Sequence, residues 1–140
     1  DAPLAMTAHV LLPAYDDQNP ATLSPVIMNE LIRDRLGLTG LIMTDDICMQ
    51  ALSGTPGELT RAVVEAGCDV ALHCSGDFDE MADVAAAAPG LSGESLDRFE
   101  RALGCLHDPE PFDEAEALAI VSEAAAVRVA DVGADPTEPA

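Results

Sequence analysis

Apolar runs of strand length alternate along this chain with stretches whose apolar residues recur at helical spacing. Leu4 to Val10 reads as the first strand. A loop with Pro13, Asp16-Asp17 and Pro20 follows, and Ser24-Pro25 predicts a helix start with proline in the first turn. Val26, Ile27, Leu31, Ile32 and Leu36 then repeat at helical spacing, with Gly37 as the expected stop. The second strand is expected over Gly40 to Thr44 and runs straight into two acids. Gly54, Pro56 and Gly57 lead to a helix over about Glu58 to Ala66, with Leu59, Ala62, Val63 and Ala66 on one face and Gly67 ending it. The third strand is expected from Asp69 to Cys74, followed by Ser75-Gly76-Asp77 and a helix through Met81 and Val84 to about Ala87. After Pro89-Gly90 a further helix spans Ser92 to Leu106, with Glu94, Asp97, Arg98, Glu100 and Arg101 read as a solvated face. Beyond Pro109-Glu-Pro111 an Ala/Glu-rich segment reads as helical to about Ala126, ahead of an acidic tail.

Strand and helix alternating three times imply a parallel sheet with helical crossovers. Open doubly wound sheets and closed barrels share that pattern. Three parallel strands alone leave both sheet edges unpaired, and a closed (β/α)₈ barrel takes eight strands and roughly 250 residues. The expected fold class is therefore α/β: the C-terminal part, about three βα units, of a TIM-type barrel. Residues 1–107 form the partial barrel and 108–140 a helical and acidic tail. The chain opens on Asp1, and strand pattern follows within a few residues with no charged and apolar leader. It is expected to be part of a longer protein.

Charge narrows the partners. Twenty-six acids stand against six arginines and no lysine, a formal charge of -20. Such a surface repels nucleic acid and anionic lipid, since little on it neutralises phosphate. A saline habitat or an Ala- and Arg-biased genome produces that balance equally well. No apolar stretch approaches the roughly 20 residues of a membrane span. Cys48, Cys68, Cys74 and Cys105 make no CxxC pair and no zinc-finger spacing. Cys68 and Cys74 are expected to be small buried hydrophobes, in a reducing cytoplasm.

Candidate chemistry gathers where Leu41 to Met43 ends in Thr44-Asp45-Asp46. In parallel α/β folds, function collects at the carboxyl edge of the strands, although a strand-ending Asp also caps helices. His9 ends the first strand, as a substrate-pocket residue or as a structural histidine. His73 ends the third, where packing or a hydrogen bond at the rim is the plainer account, and His107 is expected to be exposed. Asp45, Asp46, His9 and His73 are the rival metal set, but the paired-histidine strand motif of such centres is missing. No metal and no cofactor is expected. Met43 and Met49 read as core filler, and Gly54-Thr-Pro-Gly57 has neither the Walker lysine nor the dinucleotide spacing.

Several blocks together resemble glycoside hydrolase family 3, specifically the single-domain bacterial β-N-acetylglucosaminidases of peptidoglycan recycling. They are Ala5-Met-Thr-Ala-His-Val10, Pro20-Ala-Thr-Leu-Ser-Pro25, Leu36-Gly-Leu-Thr-Gly40, Met43-Thr-Asp-Asp-Ile-Cys-Met49 and Ala51-Leu-Ser-Gly54. Arg61-Ala62, Ala66-Gly-Cys-Asp69, Leu72-His-Cys74 and Pro109-Glu-Pro-Phe-Asp113 continue the likeness in the same order. The resemblance implies that Asp45 is the catalytic nucleophile, with Thr44 and Asp46 in support, and that the substrate is a terminal β-linked N-acetylglucosamine of a muropeptide or related oligosaccharide. Hydrolysis would proceed with retention through a covalent glycosyl-enzyme.

The chain departs from that family in what it lacks. The Lys-His-x-Pro-Gly-His-Gly block and the Asp-x-His pair, whose histidine is the family's general acid/base, are absent, as are the upstream acid and arginine that grip the sugar. Losing the acid alone removes a contribution of about 10²- to 10⁴-fold. The chain by itself is expected to be inactive and to need the missing N-terminal half of the barrel. The alternative is a non-catalytic half-barrel that self-associates or pairs with a partner to cover its open edges.

Overall fold

The computed structural model describes residues 2–109 and 111–131. They form two compact units, one ending at Leu106 and the other beginning at His107. In the first unit, β1 (Leu4–Met6), β4 (Leu41–Asp46) and β5 (Val70–Leu72) make the expected parallel sheet, with β4 in the centre. Leu4, Ala5 and Met6 sit opposite Leu41, Ile42 and Met43. The central strand runs apolar through Leu41, Ile42 and Met43, with Leu41 and Ile42 buried. Ile42 is buried together with Met28, Ile47, Leu52, Leu59, Val63, Ala66 and Cys68. Gly40 enters β4 where a side chain has no room: a Cβ there would run into the backbone carbonyl of Ala2.

Helices sit where the punctuation places them. α1 (Pro56–Ala66) starts in a capping box, the Glu58 N–H donating to Thr55 Oγ1 and the Thr55 N–H to Glu58 Oε2. It ends at Gly67, whose φ of 115° suits glycine alone. Leu59, Thr60, Val63 and Ala66 face the core. α2 (Phe78–Ala87) is capped by Asp77, which accepts the N–H groups of Asp79 and Glu80. α3 (Gly93–Leu103) follows. In the second unit, α4 (Glu114–Asp131) begins beside Asp113, which accepts the N–H groups of Ala115 and Glu116. The expected acidic tail past Asp131 lies outside the described residues.

Four expectations are corrected. The segment between the first two strands is not wholly a loop. β2 (Leu11–Leu12) and β3 (Asp16–Pro20) form an antiparallel hairpin, which Asp-Asp-Gln-Asn-Pro conceals because those residues are depleted in strands. The helix after Ser24 is wound as a π-type helix over Val26–Arg35, with the Leu36 N–H reaching the Leu31 carbonyl five residues back. That wider turn buries Ile27 and Met28 and leaves Val26 and Leu36 exposed, off the expected apolar stripe. Arg98 is mostly buried rather than on a solvated face: it turns inward to Asp69, and Arg101 donates to the Thr39 carbonyl. Cys74 and Met49 are exposed rather than buried, since both lie on turns beyond the strand ends.

Candidate active site at the carboxyl edge of the sheet

The ends of β1, β4 and β5 bring Thr44, Asp45, Asp46, His9 and His73 to one edge of the sheet. The pairing of β4 with β5 slips there. Met43 faces Val70 and Asp46 faces Leu72, so Thr44 and Asp45 together oppose Ala71 alone. A bulge of this kind bends the strand and re-aims side chains. Thr44 repairs the interrupted ladder: its fully buried hydroxyl oxygen accepts the Leu72 N–H at 2.9 Å. Thr44→Val keeps the shape but strands that N–H. It is expected to destabilise the fold by about 1–3 kcal/mol, read as a lower urea midpoint at unchanged slope.

Asp45 is half-buried, and its Oδ1 accepts the Asp46 N–H at 2.8 Å. Among the described residues nothing hydrogen-bonds Oδ2. The carboxylate is thus anchored at one oxygen and open at the other. The Asp46 side chain instead braces the backbone, its Oδ1 accepting the N–H groups of Cys48 at 3.0 Å and Cys74 at 3.1 Å. The Cys48 N–H chiefly, with the Cys74 N–H, holds the Asp46 carboxyl below its ordinary range against the opposing effect of burial. Asp46 thereby ties the turn after β4 to the turn after β5.

His9 is engaged at both ring nitrogens. Nδ1 meets the Thr22 hydroxyl at 2.9 Å and Nε2 meets the Asp46 carbonyl at 2.9 Å. A carbonyl only accepts, so Nε2 carries the proton. Thr7 Oγ1 joins the same chain at 2.9 Å from Thr22 Oγ1. The histidine fixes the backbone that carries both acids. His73 lies beside Glu80, at 3.1 Å from Nε2 to Oε2, while His107 is exposed. Thr22 and Glu80 escaped the sequence reading because only the fold brings them to this edge. A cavity of about 430 Å³ opens away from the two acids, lined by Arg33, Leu38, Thr39, Arg98 and Arg101, and takes no part in this site.

The profile of the Glycosyl hydrolase family 3 N terminal domain matches residues 1–102. The chain belongs to glycosyl hydrolase family 3. Within that family it is 39% identical over 101 residues to a Beta-hexosaminidase of Chromobacterium violaceum, covering 71% of this chain and 28% of the relative. It is 42% identical over 80 residues to a Beta-hexosaminidase of Thiobacillus denitrificans, covering 56% and 21%. Among solved structures it resembles a glycoside hydrolase family 3 β-N-acetylglucosaminidase from Paenibacillus sp. str. FPU-7. That likeness has a TM-score of 0.62 at 28% identity, over 81% of this chain and 25% of the other. The chain therefore spans between a fifth and a third of the length of these relatives.

Proposed function

We propose that this chain is the nucleophile-bearing C-terminal part of a (β/α)₈ barrel that hydrolyses terminal β-linked N-acetylglucosamine with retention, acting on peptidoglycan-derived muropeptides. Asp45 is the nucleophile in this reading. The observation that carries it is the Asp45 carboxylate, held at the carboxyl edge of the central strand by one oxygen with the other open. Such a carboxylate is oriented without being consumed by internal bonds. Thr44 sets the bulge and Asp46 the loop, while His9 serves the pocket by holding the Asp46 backbone. The relatives' shared name, Beta-hexosaminidase, supports the substrate class.

In this reading the rest of the barrel supplies the general acid/base and the sugar clamp. Leu4 and Met6 on β1 are more than half exposed, and β1 and β5 each pair only with β4 among the described residues. Those edges favour a missing barrel half or a second copy as the partner. None of the four cysteines is in a disulfide, in keeping with the cytoplasm. Among the described residues no helix is long and apolar enough to cross a membrane.

Grafting tests the proposal. Residues 1–102 replace the matched segment of the Chromobacterium violaceum relative, and a chromogenic β-N-acetylglucosaminide reports turnover beside the 140-residue chain. The chimera is expected to release β-N-acetylglucosamine as first product, and the chain alone to show no turnover. A folded but inactive chimera sinks the hydrolase reading, and an active isolated chain sinks the need for a missing half. A muropeptide compared with a chitin disaccharide on the same chimera tests the narrower substrate.

A further inference from the structure

A second constellation stands at the same edge and takes no part in the proposed hydrolysis. Cys48 from the turn after β4, His73 from the end of β5 and Glu80 from the first turn of α2 each bring a donor atom to within 4.8 Å of the others. His73 Nε2 lies 3.1 Å from Glu80 Oε2, and Cys48 Sγ lies 4.0 Å from the same oxygen. With ordinary zinc bond lengths, a tetrahedral site places neighbouring N and O donors about 3.3 Å apart and S and O donors about 3.6 Å apart. These two spacings differ from the tetrahedral ones by a few tenths of an ångström, which side-chain torsions absorb, and Cys48 Sγ lies within 4.8 Å of the His73 donor nitrogen.

The donors are held from three directions. The Cys48 N–H is fastened to Asp46 Oδ1 at 3.0 Å. The Glu80 N–H is fastened to the helix cap Asp77 at 3.1 Å. The His73 side chain is 7% exposed, and the Ser75 hydroxyl donates to Glu80 Oε2. No nearby pair in sequence announces the set, since Cys48 and His73 are joined only by the β4–β5 crossover.

We propose that Cys48 Sγ, His73 Nε2 and Glu80 Oε2 form a three-ligand site for a zinc-type divalent cation. Water or the Ser75 hydroxyl takes the fourth position. A thiolate, an imidazole and a carboxylate together match zinc, whereas magnesium and calcium take oxygen donors. On binding, the Cys48 thiol releases its proton to solvent, and His73 binds through a neutral Nε2. Thiolate and carboxylate then balance the charge of the dication. Without metal, burial and the charges of Asp46 and Glu80 push the Cys48 thiol upward, and a bound dication reverses that balance. The ion would clamp the first turn of α2 onto the ends of β4 and β5.

Metal titration decides the matter without reference to glycosidase activity. The 140-residue chain, chelator-stripped and kept reduced, is titrated with Zn²⁺ against a chromogenic chelator and with Co²⁺ in parallel. One equivalent is expected to bind, with a near-ultraviolet thiolate-to-cobalt charge-transfer band. Cys48→Ser is expected to abolish that band, and Cys48→Ser and His73→Gln each to weaken zinc binding at least about tenfold. Cys74→Ser and Cys105→Ser are expected to leave both readouts unchanged, with far-ultraviolet circular dichroism showing equal helix content throughout. A chain that takes up no zinc overturns the proposal. So does uptake indifferent to Cys48→Ser, or uptake lost equally with any cysteine, as an unfolded chain would show.

Discussion

Asp45→Ala, placed in the grafted enzyme, is expected to lower kcat by at least about 10³-fold, and added azide to restore turnover with release of the α-glycosyl azide. The stereochemistry follows from the proposed mechanism. In a β-glycoside the nucleophile attacks the anomeric carbon from the α face as the bond to the leaving oxygen breaks, and water later attacks from the β face. Removing the carboxylate leaves a gap on the α face that azide fills, so a single displacement gives the α product, inverted relative to the substrate. Asp46→Ala provides the contrast. It frees the N–H groups of Cys48 and Cys74 and loosens the two turns, so it lowers activity without azide rescue. Rescue of the Asp46 variant and not of the Asp45 variant would exchange their roles. A purely structural Asp45 would show loss of stability in place of rescue.

The second large effect is expected at the opposite edge of the sheet. The Asp69 side chain is 1% exposed and engaged on both oxygens. Oδ2 accepts from Arg33 at 2.7 Å and the Ile42 N–H at 2.8 Å, and Oδ1 from the Ser95 hydroxyl at 2.6 Å and Arg98 at 2.9 Å. One carboxylate thus pins the π-type helix and α3 to the starts of β4 and β5. Asp69→Asn leaves two guanidiniums facing a neutral amide whose NH₂ competes with their own donors. Removing one partner of a buried ion pair costs about 3–5 kcal/mol. The arginines keep 12% and 18% of their side-chain surface, which argues for the lower end of that range. Chemical denaturation at neutral pH measures it.

Acid adds a check on the sign. Burial by itself raises the Asp69 pKa, but the Ser95 hydroxyl, the Ile42 N–H and the two guanidiniums outweigh it, and the carboxyl is held below its ordinary value. A depressed folded-state pKa contributes stability above the unfolded value of about 3.9 and loses it as pH falls through the folded value. The difference between the natural chain and Asp69→Asn is therefore expected to be full at pH 6 and to shrink below about pH 4. A difference that grows on acidification would contradict the assignment.

Much of this was legible in residue order. Gly37 and Gly67 end their helices in the left-handed conformation, and Thr55 to Glu58 form the capping box, because caps and stops are local backbone chemistry. The continuous apolar run into β4 announced a central strand because such strands are covered on both faces. The hairpin was hidden because its second strand is built of residues poor in β propensity. The π winding was hidden because apolar residues at i and i+4 serve helices of either width for a turn or two. The sequence pattern also put Arg98 in solvent. Its partner, Asp69, is twenty-nine residues away, and no local periodicity reports a pairing at that distance.

By itself, then, the order of residues determined the alternation of strands and helices, the parallel sheet and the strand that carries Asp45. Each of these follows from burial along one element or from a turn of a few residues. Only the tertiary structure decided the slip at Thr44 and Asp45, the fastening of His9 to the Asp46 carbonyl and the meeting of Cys48, His73 and Glu80. These contacts join residues from separate strands and helices. Their distances depend on how the crossovers stack the strands side by side, which the spacing along the chain does not encode.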